Sequence, residues 1–252
     1  MECIDQILER GGLTVYFQPI LSMRGRALFG VEALIRSVTP GGEIIAPAQL
    51  FAAAIKEGKQ LELDRAARRL AIHAFAPLWR IIPRLLLFVN FESQLIDTFN
   101  VGNYLFDGEL RRLKIPYSNI VLEIKEDEVT QTKQLESFCR HYRDLGLNIA
   151  LDDFGVGQSS FDRLAIVRPD IIKIDQSLIT HIQVNYIHQE IVHAICKMSE
   201  NIGALSLAEG IETLEESVCC LAQGATLMQG FWFARPAQPF LAKSRHKNRA
   251  GG

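Results

Sequence analysis

The sequence predicts an α/β fold, a modified TIM (β/α)8 barrel whose first strand is antiparallel to the next. Its 252 residues are enough for one such barrel. Apolar, β-branched runs recur eight times, and most of those after the first are separated by segments with helical periodicity. Strands and helices that alternate in this way indicate a parallel sheet covered on both faces.

The eight predicted strands are short apolar runs at residues 15–20, 28–33, 85–90, 120–124, 148–151, 171–174, 204–208 and 227–233. The predicted helices, in which apolar residues recur every three or four positions, span residues 47–78, 130–146, 186–202 and 214–224. The link over residues 21–27 is shorter than the dozen or so residues that a parallel crossover needs, so strands one and two are predicted to be antiparallel. An open sheet is the alternative to a closed barrel. The chain shows no linker, which predicts a single domain over residues 1–240.

The charge balance limits the class of ligand. The chain has 27 Lys and Arg against 29 Asp and Glu, a net charge of -2. This balance argues against a general DNA-binding protein, but it is compatible with one phosphate-bearing ligand. Residues 241–252 contain four basic residues and no acid, so the rest of the chain is acidic. We expect this basic tail to be disordered.

The cysteine pattern and the apolar runs bear on location. The five cysteines form no CxxC motif, which is typical of a reducing compartment. The N-terminus lacks the apolar region of a secretion signal, and the most apolar run, residues 85–89, is too short to span a bilayer. We therefore expect a cytoplasmic protein without a membrane span.

Polar side chains follow the apolar run at seven predicted strand ends, which meet at one rim of a barrel. They are Glu32, Asn90, Glu123, Asp152, Asp153, Lys173, Asp175, Glu209 and Gln229. Several carboxylates at one opening would repel each other unless cations lie among them. An all-oxygen ligand set favours Mg²⁺ or Mn²⁺ over Zn²⁺. The adjacent Asp152 and Asp153 suggest two ions about 4 Å apart that activate water for attack on phosphorus.

Each of these residues also has an ordinary structural explanation. A lone glutamate at a strand end commonly faces solvent, and an Asp pair before Phe-Gly commonly forms a turn or caps a helix. Asn90 can form an Asx-turn, and Lys173 can simply pair with Asp175 or another acid. The recurrence of a polar side chain at seven predicted strand ends favours the functional interpretation. Other chemistries lack their motifs, since there is no HExxH, P-loop, dinucleotide-binding glycine pattern or nucleophile elbow.

Eight short segments occur in order along the chain: FQPI (17–20), VEALIR (31–36), VNFES (89–93), LEIKED (122–127), LDDFGVGQSS (151–160), IKID (172–175), AEGIET (208–213) and QGFWFARP (229–236). Together, over residues 10–240, they resemble the EAL domain of bacterial cyclic di-GMP phosphodiesterases. The resemblance implies a (β/α)8 barrel with an antiparallel first strand. It also implies hydrolysis of one phosphodiester bond of cyclic di-GMP to linear pGpG, dependence on Mg²⁺ or Mn²⁺, inhibition by Ca²⁺, and a homodimer.

The resemblance also implies a role for each matching residue. The residues that match ligands of the first metal are Glu32, Asn90, Glu123 and Asp152, and those at the second metal are Asp152 and Asp153. Lys173 matches the residue that holds the attacking water, with Glu209 and Gln229 completing the water and metal shell; the catalytic set is Lys173, Glu209 and Glu32. The substrate-binding set is Arg36, which matches a phosphate contact, together with Gln18, Leu34, Asp175 and Pro236. Glu126 matches an acid that stabilises the loop after Asp153.

Two segments depart from the family pattern. Gln158 stands where the family usually has a tyrosine, in a loop that couples metal binding to dimerisation, and LEIKED replaces LELTES, with Lys125 and Asp127 at unusual places. No metal-binding position is lost. The leading hypothesis is an active phosphodiesterase, and the alternative is a silent receptor that binds cyclic di-GMP. A third reading is a barrel enzyme acting on another phosphate ester or a carboxylate. We expect a sensor domain or partner in a larger parent protein to regulate the chain.

Overall fold

Eight strands close into a barrel in the computed structural model, which describes residues 2–96, 107–125, 132–155 and 161–239. The strands of the barrel are β1 (Leu13–Ser22), β2 (Ala27–Val38), β4 (Leu86–Asn90), β5 (Ile120–Lys125), β6 (Asn148–Phe154), β7 (Ile171–Ile174), β8 (Leu205–Ala208) and β9 (Leu227–Met228). A further two-residue strand, β3 (Ile44–Ile45), pairs with the end of β2 outside the barrel. The predicted number of barrel strands is confirmed.

The barrel closes through β1, which pairs with β2 on one side and with β9 on the other. Both of these pairings are antiparallel, whereas β2 and β4 through β9 are joined by parallel pairings. Only four residues, 23–26, connect β1 to β2, so the chain has to reverse direction there. The predicted antiparallel first strand is confirmed, and the alternative of an open sheet is wrong.

The helices surround the barrel and differ from the predicted ones in their ends. In the described residues they are α1 (Ile4–Glu9), α2 (Pro47–Glu57), α3 (Gln60–Ile81), α4 (Asp107–Leu113), α5 (Thr132–Asp144), α6 (Phe161–Val167), α7 (Gln176–Ile179), α8 (Tyr186–Ile202) and α9 (Leu214–Ala222), with 3-10 turns at Ser93–Ile96, Tyr117–Asn119 and Ile182–Val184. The single helix predicted over residues 47–78 is two helices. Gly58, in the left-handed conformation with φ of 66°, ends α2 and lets the chain turn into α3.

The last strand is shorter than predicted, because it ends at Met228 rather than at residue 233. Gly230 packs against the backbone of Ile211 so closely that an added Cβ would lie 2.0 Å from the Ile211 oxygen. The amides of Phe233 and Ala234 then donate to the Gly230 carbonyl, which curls the chain into a helical turn. The segment after Met228 therefore forms part of the rim instead of extending the sheet.

Strand periodicity explains why polar groups collect at one end of the barrel. An apolar layer, formed by Ile20, Phe88, Val121, Ala150, Ile171, Leu207 and Leu227, is one of the buried clusters of the described residues. Successive side chains of a strand point to opposite faces, so the residue two positions later lies on the same face and one layer higher. Two positions after Val121 is Glu123, after Ala150 is Asp152, and after Ile171 is Lys173. The barrel therefore carries a polar layer directly above an apolar one.

The remaining expectations concern membranes and disulfides. No helix in the described part of the chain is both long and apolar enough to cross a membrane. All five cysteines are free thiols. The predicted tail, residues 241–252, lies outside the described residues.

Candidate active site

Lys173 lies at the centre of the rim, buried among four carboxylates. Its Nζ is 2.7 Å from Glu123 Oε1, 2.7 Å from Asp152 Oδ1, 2.9 Å from Glu209 Oε1 and 3.9 Å from Glu32 Oε1. The side chain of Lys173 is only 2% exposed. Lys173 therefore pairs with acids of four other strand ends, but Asp175, which the sequence suggested as a partner, is not among its ion pairs.

Glu32 connects three strands through its two carboxylate oxygens. Gln229 Nε2 donates to Glu32 Oε2 over 2.5 Å, and Asn90 Nδ2 donates to Glu32 Oε1 over 3.5 Å. The Oε1 atom of Gln229 is buried and has no hydrogen-bond partner within the described ranges. This amide oxygen is therefore available as a ligand or as an acceptor from bound water.

Burial and neighbouring charges both shift the pKa values of this cluster. Burial lowers the pKa of the Lys173 ammonium, but the surrounding carboxylates outweigh it and hold the pKa well above its ordinary value. Burial raises the pKa of Glu123 well above its usual range, and Glu32 and Asp152 add to this shift while Lys173 opposes it. Burial likewise raises the pKa of Glu209. One ammonium therefore does not neutralise the four acids, and the cluster has room for further positive charge.

Asp153 differs from the buried acids in its backbone and exposure. Its φ is 56°, an uncommon conformation for a residue other than glycine. The pairing of β6 with β7 shifts register between Leu151 and Phe154, so two consecutive aspartates reach the rim instead of alternating between faces. The Nζ of Lys125 lies 3.5 Å from Asp153 Oδ2, and both side chains are partly exposed.

The residues of the rim fit divalent cations. Asp152, Asp153 and Glu209 each offer a carboxylate oxygen, and these oxygens lie within 4.8 Å of one another. The donors are carboxylates and amides, with no thiol or imidazole, which matches the preference of Mg²⁺ and Mn²⁺. The excess of buried carboxylates over ammonium groups and the unpaired Gln229 oxygen support the same assignment.

A cavity of about 830 Å³ lies above the polar layer, and its size suits a ligand larger than a simple phosphate. The substrate-binding residues predicted from the sequence that line it are Gln18, Leu34, Arg36 and Pro236. Gln18 Nε2 donates to the Ala234 carbonyl at 3.3 Å, and Arg36 Nη1 donates to the Ile35 carbonyl at 2.9 Å.

Among the described residues, two predicted site residues, Glu123 and Asp175, do not line the cavity. Asp175 is not among the residues that line the cavity, and its Oδ1 accepts from the Ser177 amide at 2.7 Å, so it caps α7. Glu126 lies outside the described residues, as does Gln158.

Sequence reasoning missed a buried ion pair in the cavity wall. Arg68 pairs with Asp64 one helical turn earlier in α3, and both side chains are almost fully buried. The Glu92 amide donates to Asp64 Oδ1 at 3.4 Å, and the Arg68 guanidinium stacks 4.6 Å from the ring centre of Phe91. The pair therefore contacts the residues that directly follow Asn90. The i, i+4 spacing of these opposite charges in α3 is the sequence pattern that could have indicated the pair.

Comparisons with known proteins agree with this architecture. The family model of the EAL domain matches residues 2–236. The chain is 29% identical to "Cyclic di-GMP phosphodiesterase PdeF" of Escherichia coli (strain K12) over 246 residues, which are 96% of this chain and 32% of PdeF. The chain thus spans about a third of the length of that relative.

Solved structures give the same result. The phosphodiesterase PaMucR in complex with c-di-GMP superimposes with a TM-score of 0.83 at 26% identity, covering 93% of this chain and 96% of that one. BlrP1 of Klebsiella pneumoniae, solved with calcium and c-di-GMP, superimposes with a TM-score of 0.80 at 30% identity, covering 90% and 56%; BlrP1 has also been solved with manganese and c-di-GMP. The chain therefore belongs to the EAL domain family, the family of the cyclic di-GMP phosphodiesterases that it resembles.

Proposed function

We propose that the chain is a metal-dependent phosphodiesterase that hydrolyses cyclic di-GMP to linear pGpG with two divalent ions. The observation that carries this proposal is the buried cluster around Lys173, in which four carboxylates meet one ammonium at the base of a large cavity. Such a cluster is costly to bury unless cations and an anionic substrate complete it. The names and ligands of PdeF, PaMucR and BlrP1 support the choice of substrate.

The rim residues divide into two sets of metal ligands. In this proposal the first ion, Mg²⁺ or Mn²⁺, is held by Glu32, Asn90, Glu123 and Asp152. The second is held by Asp152 and Asp153, with Glu209 and Gln229 completing the shell of metal and water. When bound, the ions supply a more acidic water and neutralise charge that develops on the phosphodiester. Ca²⁺ is expected to occupy the site without supporting turnover.

Lys173 is the residue of the chain that positions the attacking water. Ion pairs with Glu123, Asp152 and Glu209 hold its ammonium at one defined position at the rim. The positive charge of an ammonium suits orienting the attacking water and stabilising negative charge better than taking the water's proton. Among the four acids around Lys173, Glu209 is the most exposed to the cavity. It is therefore the best placed of the four to accept the proton of the attacking water.

The cavity wall supplies substrate contacts that the ions do not. Arg36 carries the positive charge that suits a phosphate, and Gln18, Leu34 and Pro236 line the same cavity. We also propose that Asp175 contacts the substrate and that Glu126 stabilises the loop after Asp153. We also propose that residues 1–240 form one cytoplasmic domain that acts as a homodimer under the control of a sensor domain or partner.

A silent cyclic di-GMP receptor is the second candidate, and one observation favours it. Lys125 lies 3.5 Å from Asp153, the proposed ligand of the second ion, so a protein cation already occupies part of that position. A chain that cannot load the second ion would bind the dinucleotide without cleaving it.

Turnover separates the two candidates. Purified protein is incubated with cyclic di-GMP and Mn²⁺ or Mg²⁺ at pH 8–9, and pGpG is measured by chromatography. Glu32→Ala is the inactive variant, and Glu200→Gln, which changes an exposed acid on α8, is the matched control. Formation of pGpG by the wild type and the control but not by Glu32→Ala supports the enzyme. Calorimetric binding of cyclic di-GMP in Ca²⁺, with no product in Mn²⁺, would instead establish the receptor; absence of binding would favour another substrate.

A further inference from the structure

The two adjacent aspartates of the rim are paired with different lysines. Asp152 Oδ1 is 2.7 Å from the buried ammonium of Lys173, whereas Asp153 Oδ2 is 3.5 Å from the ammonium of Lys125. Lys125 is the last residue of β5, and its backbone is in register with Asp152 in the parallel pair of β5 and β6. Lys125 also lines the cavity together with Asp152 and Asp153. Strand pairing therefore places a second ammonium at the outer side of the proposed metal cluster.

The two lysines differ in what movement they permit. The Lys173 side chain is 2% exposed and is fixed by several acids, whereas those of Lys125 and Asp153 are 43% and 45% exposed. A half-exposed lysine has a long flexible stem and retains access to water. The ammonium of Lys125 can therefore leave Asp153 without exposing a buried charge, while that of Lys173 cannot.

In the proposed two-ion site, Lys125 would oppose binding of the second ion in two ways. It holds an oxygen of Asp153 that the ion needs as a ligand, and its positive charge repels a divalent cation. A single positive charge about 5 Å from a divalent ion opposes its binding by on the order of tenfold even in a water-like dielectric. The first ion, among Glu32, Asn90 and Glu123, does not compete with Lys125 for a ligand.

We infer that Lys125 makes the two metal positions unequal, so that the first ion binds tightly and the second binds weakly, displacing the Lys125 ammonium from Asp153. This inference rests on the proposed phosphodiesterase function. It names Lys125 as a positioning residue that controls second-ion occupancy. The consequence is an enzyme whose turnover depends on the concentration of free divalent metal over the range in which the second ion loads.

The test measures metal binding directly, with Mn²⁺ alone as the probe. The full chain is titrated with Mn²⁺ by calorimetry and by the loss of the free-Mn²⁺ electron paramagnetic resonance signal. Lys125→Met removes the charge and keeps the length of the side chain, and Lys125→Arg keeps the charge. Lys197→Met, which changes an exposed lysine on α8 that pairs with Glu200, is the matched control. Lys125→Thr provides a second neutral variant in case Lys125→Met does not fold.

The wild type is expected to show one tight and one weak Mn²⁺ site. Lys125→Met should tighten the weak site by about tenfold and leave the tight site unchanged, while Lys125→Arg and Lys197→Met should behave as the wild type. The Mn²⁺ concentration for half-maximal pGpG formation should fall by a similar factor. An unchanged weak site in both neutral variants, with pGpG still formed, would overturn the inference alone. Absence of any Mn²⁺ binding in the wild type would overturn both the inference and the proposed function.

Discussion

Gln229 donates a hydrogen bond of 2.5 Å from its Nε2 to Oε2 of Glu32, although 197 positions separate the two residues in the chain. Glu32 lies in β2 and Gln229 directly follows β9, and both strands pair with β1. The two side chains meet because β1 closes the barrel between them. The integrity of the carboxylate cluster around Lys173 is therefore coupled to closure of the barrel.

Glu32→Ala should abolish turnover and weaken the binding of Mn²⁺ by more than tenfold, because it removes a carboxylate ligand and the acceptor for Gln229 and Asn90. The fold should persist, since one fewer acid among the buried carboxylates reduces their mutual repulsion. Calorimetry with Mn²⁺ and thermal denaturation measure the two effects. Normal activity in this variant would disprove the metal assignment.

Lys173→Met should reduce turnover by about a hundredfold or more, because the attacking water loses the group that positions it. Without metal, the variant should lose about 3–5 kcal/mol of stability, since several buried carboxylates are left without their cation. At the same Mn²⁺ concentration, Mn²⁺ should restore stability more than in the wild type, because the ions supply the positive charge that the variant lacks. Denaturant unfolding with and without Mn²⁺ measures this difference; an equal effect of Mn²⁺ on both proteins would contradict it.

Asp64→Ala should destabilise the chain by about 3–5 kcal/mol, because it leaves the buried Arg68 guanidinium without its carboxylate partner. Burial raises the pKa of Asp64 and Arg68 lowers it, so the carboxylate depends on this pair for its charge. The double variant Asp64→Leu/Arg68→Met should recover most of the lost stability.

The same variants test whether the pair positions the segment after Asn90. Asp64 accepts the Glu92 amide, so the double variant should bind Mn²⁺ less tightly even where its stability is restored. Urea unfolding and Mn²⁺ calorimetry separate the two readouts. If the double variant binds Mn²⁺ as tightly as the wild type does, the pair has only a structural role.

Alkaline pH should destabilise the protein through two buried thiols. Burial raises the pKa of Cys139 to about 12 and that of Cys220 to about 12, against an ordinary value of 9.0. Because the folded-state pKa is the higher one, the stability from each thiol is complete below pH 9 and is lost as the pH rises towards 12. Each thiol should cost about 2 kcal/mol by pH 10.5.

Urea unfolding between pH 8 and 10.5 measures this loss. Cys139→Ala should reduce the slope of stability against pH in this range, after allowance for its lower stability at pH 8. Cys3→Ala, a change at an exposed position, is the control and should leave the slope unchanged. A slope that is the same in all three proteins would show that other groups cause the alkaline loss.

Local sequence patterns predict the barrel, the antiparallel first strand and the polar residues of the rim. Short-range rules were sufficient for these features. The link between β1 and β2 is too short for a parallel crossover, and a polar residue after an apolar run marks the carboxyl end of a strand. The metal-binding interpretation rested on the repetition of this pattern at many strand ends, and the structure brings Glu32, Asn90, Glu123, Asp152, Lys173, Glu209 and Gln229 together.

Which of these side chains contact one another depends on how the folded strands pair. The sequence suggests Asp175 or another acid as the partner of Lys173, whereas barrel closure surrounds Lys173 with four other acids. Contact between Ile211 and Gly230 ends β9 early, and the register shift in β6 turns both Asp152 and Asp153 towards the rim. The pairing of Lys125 with Asp153 likewise follows from neighbouring strands. These features arise from contacts between residues distant in the chain, and local periodicity carries no information about such contacts.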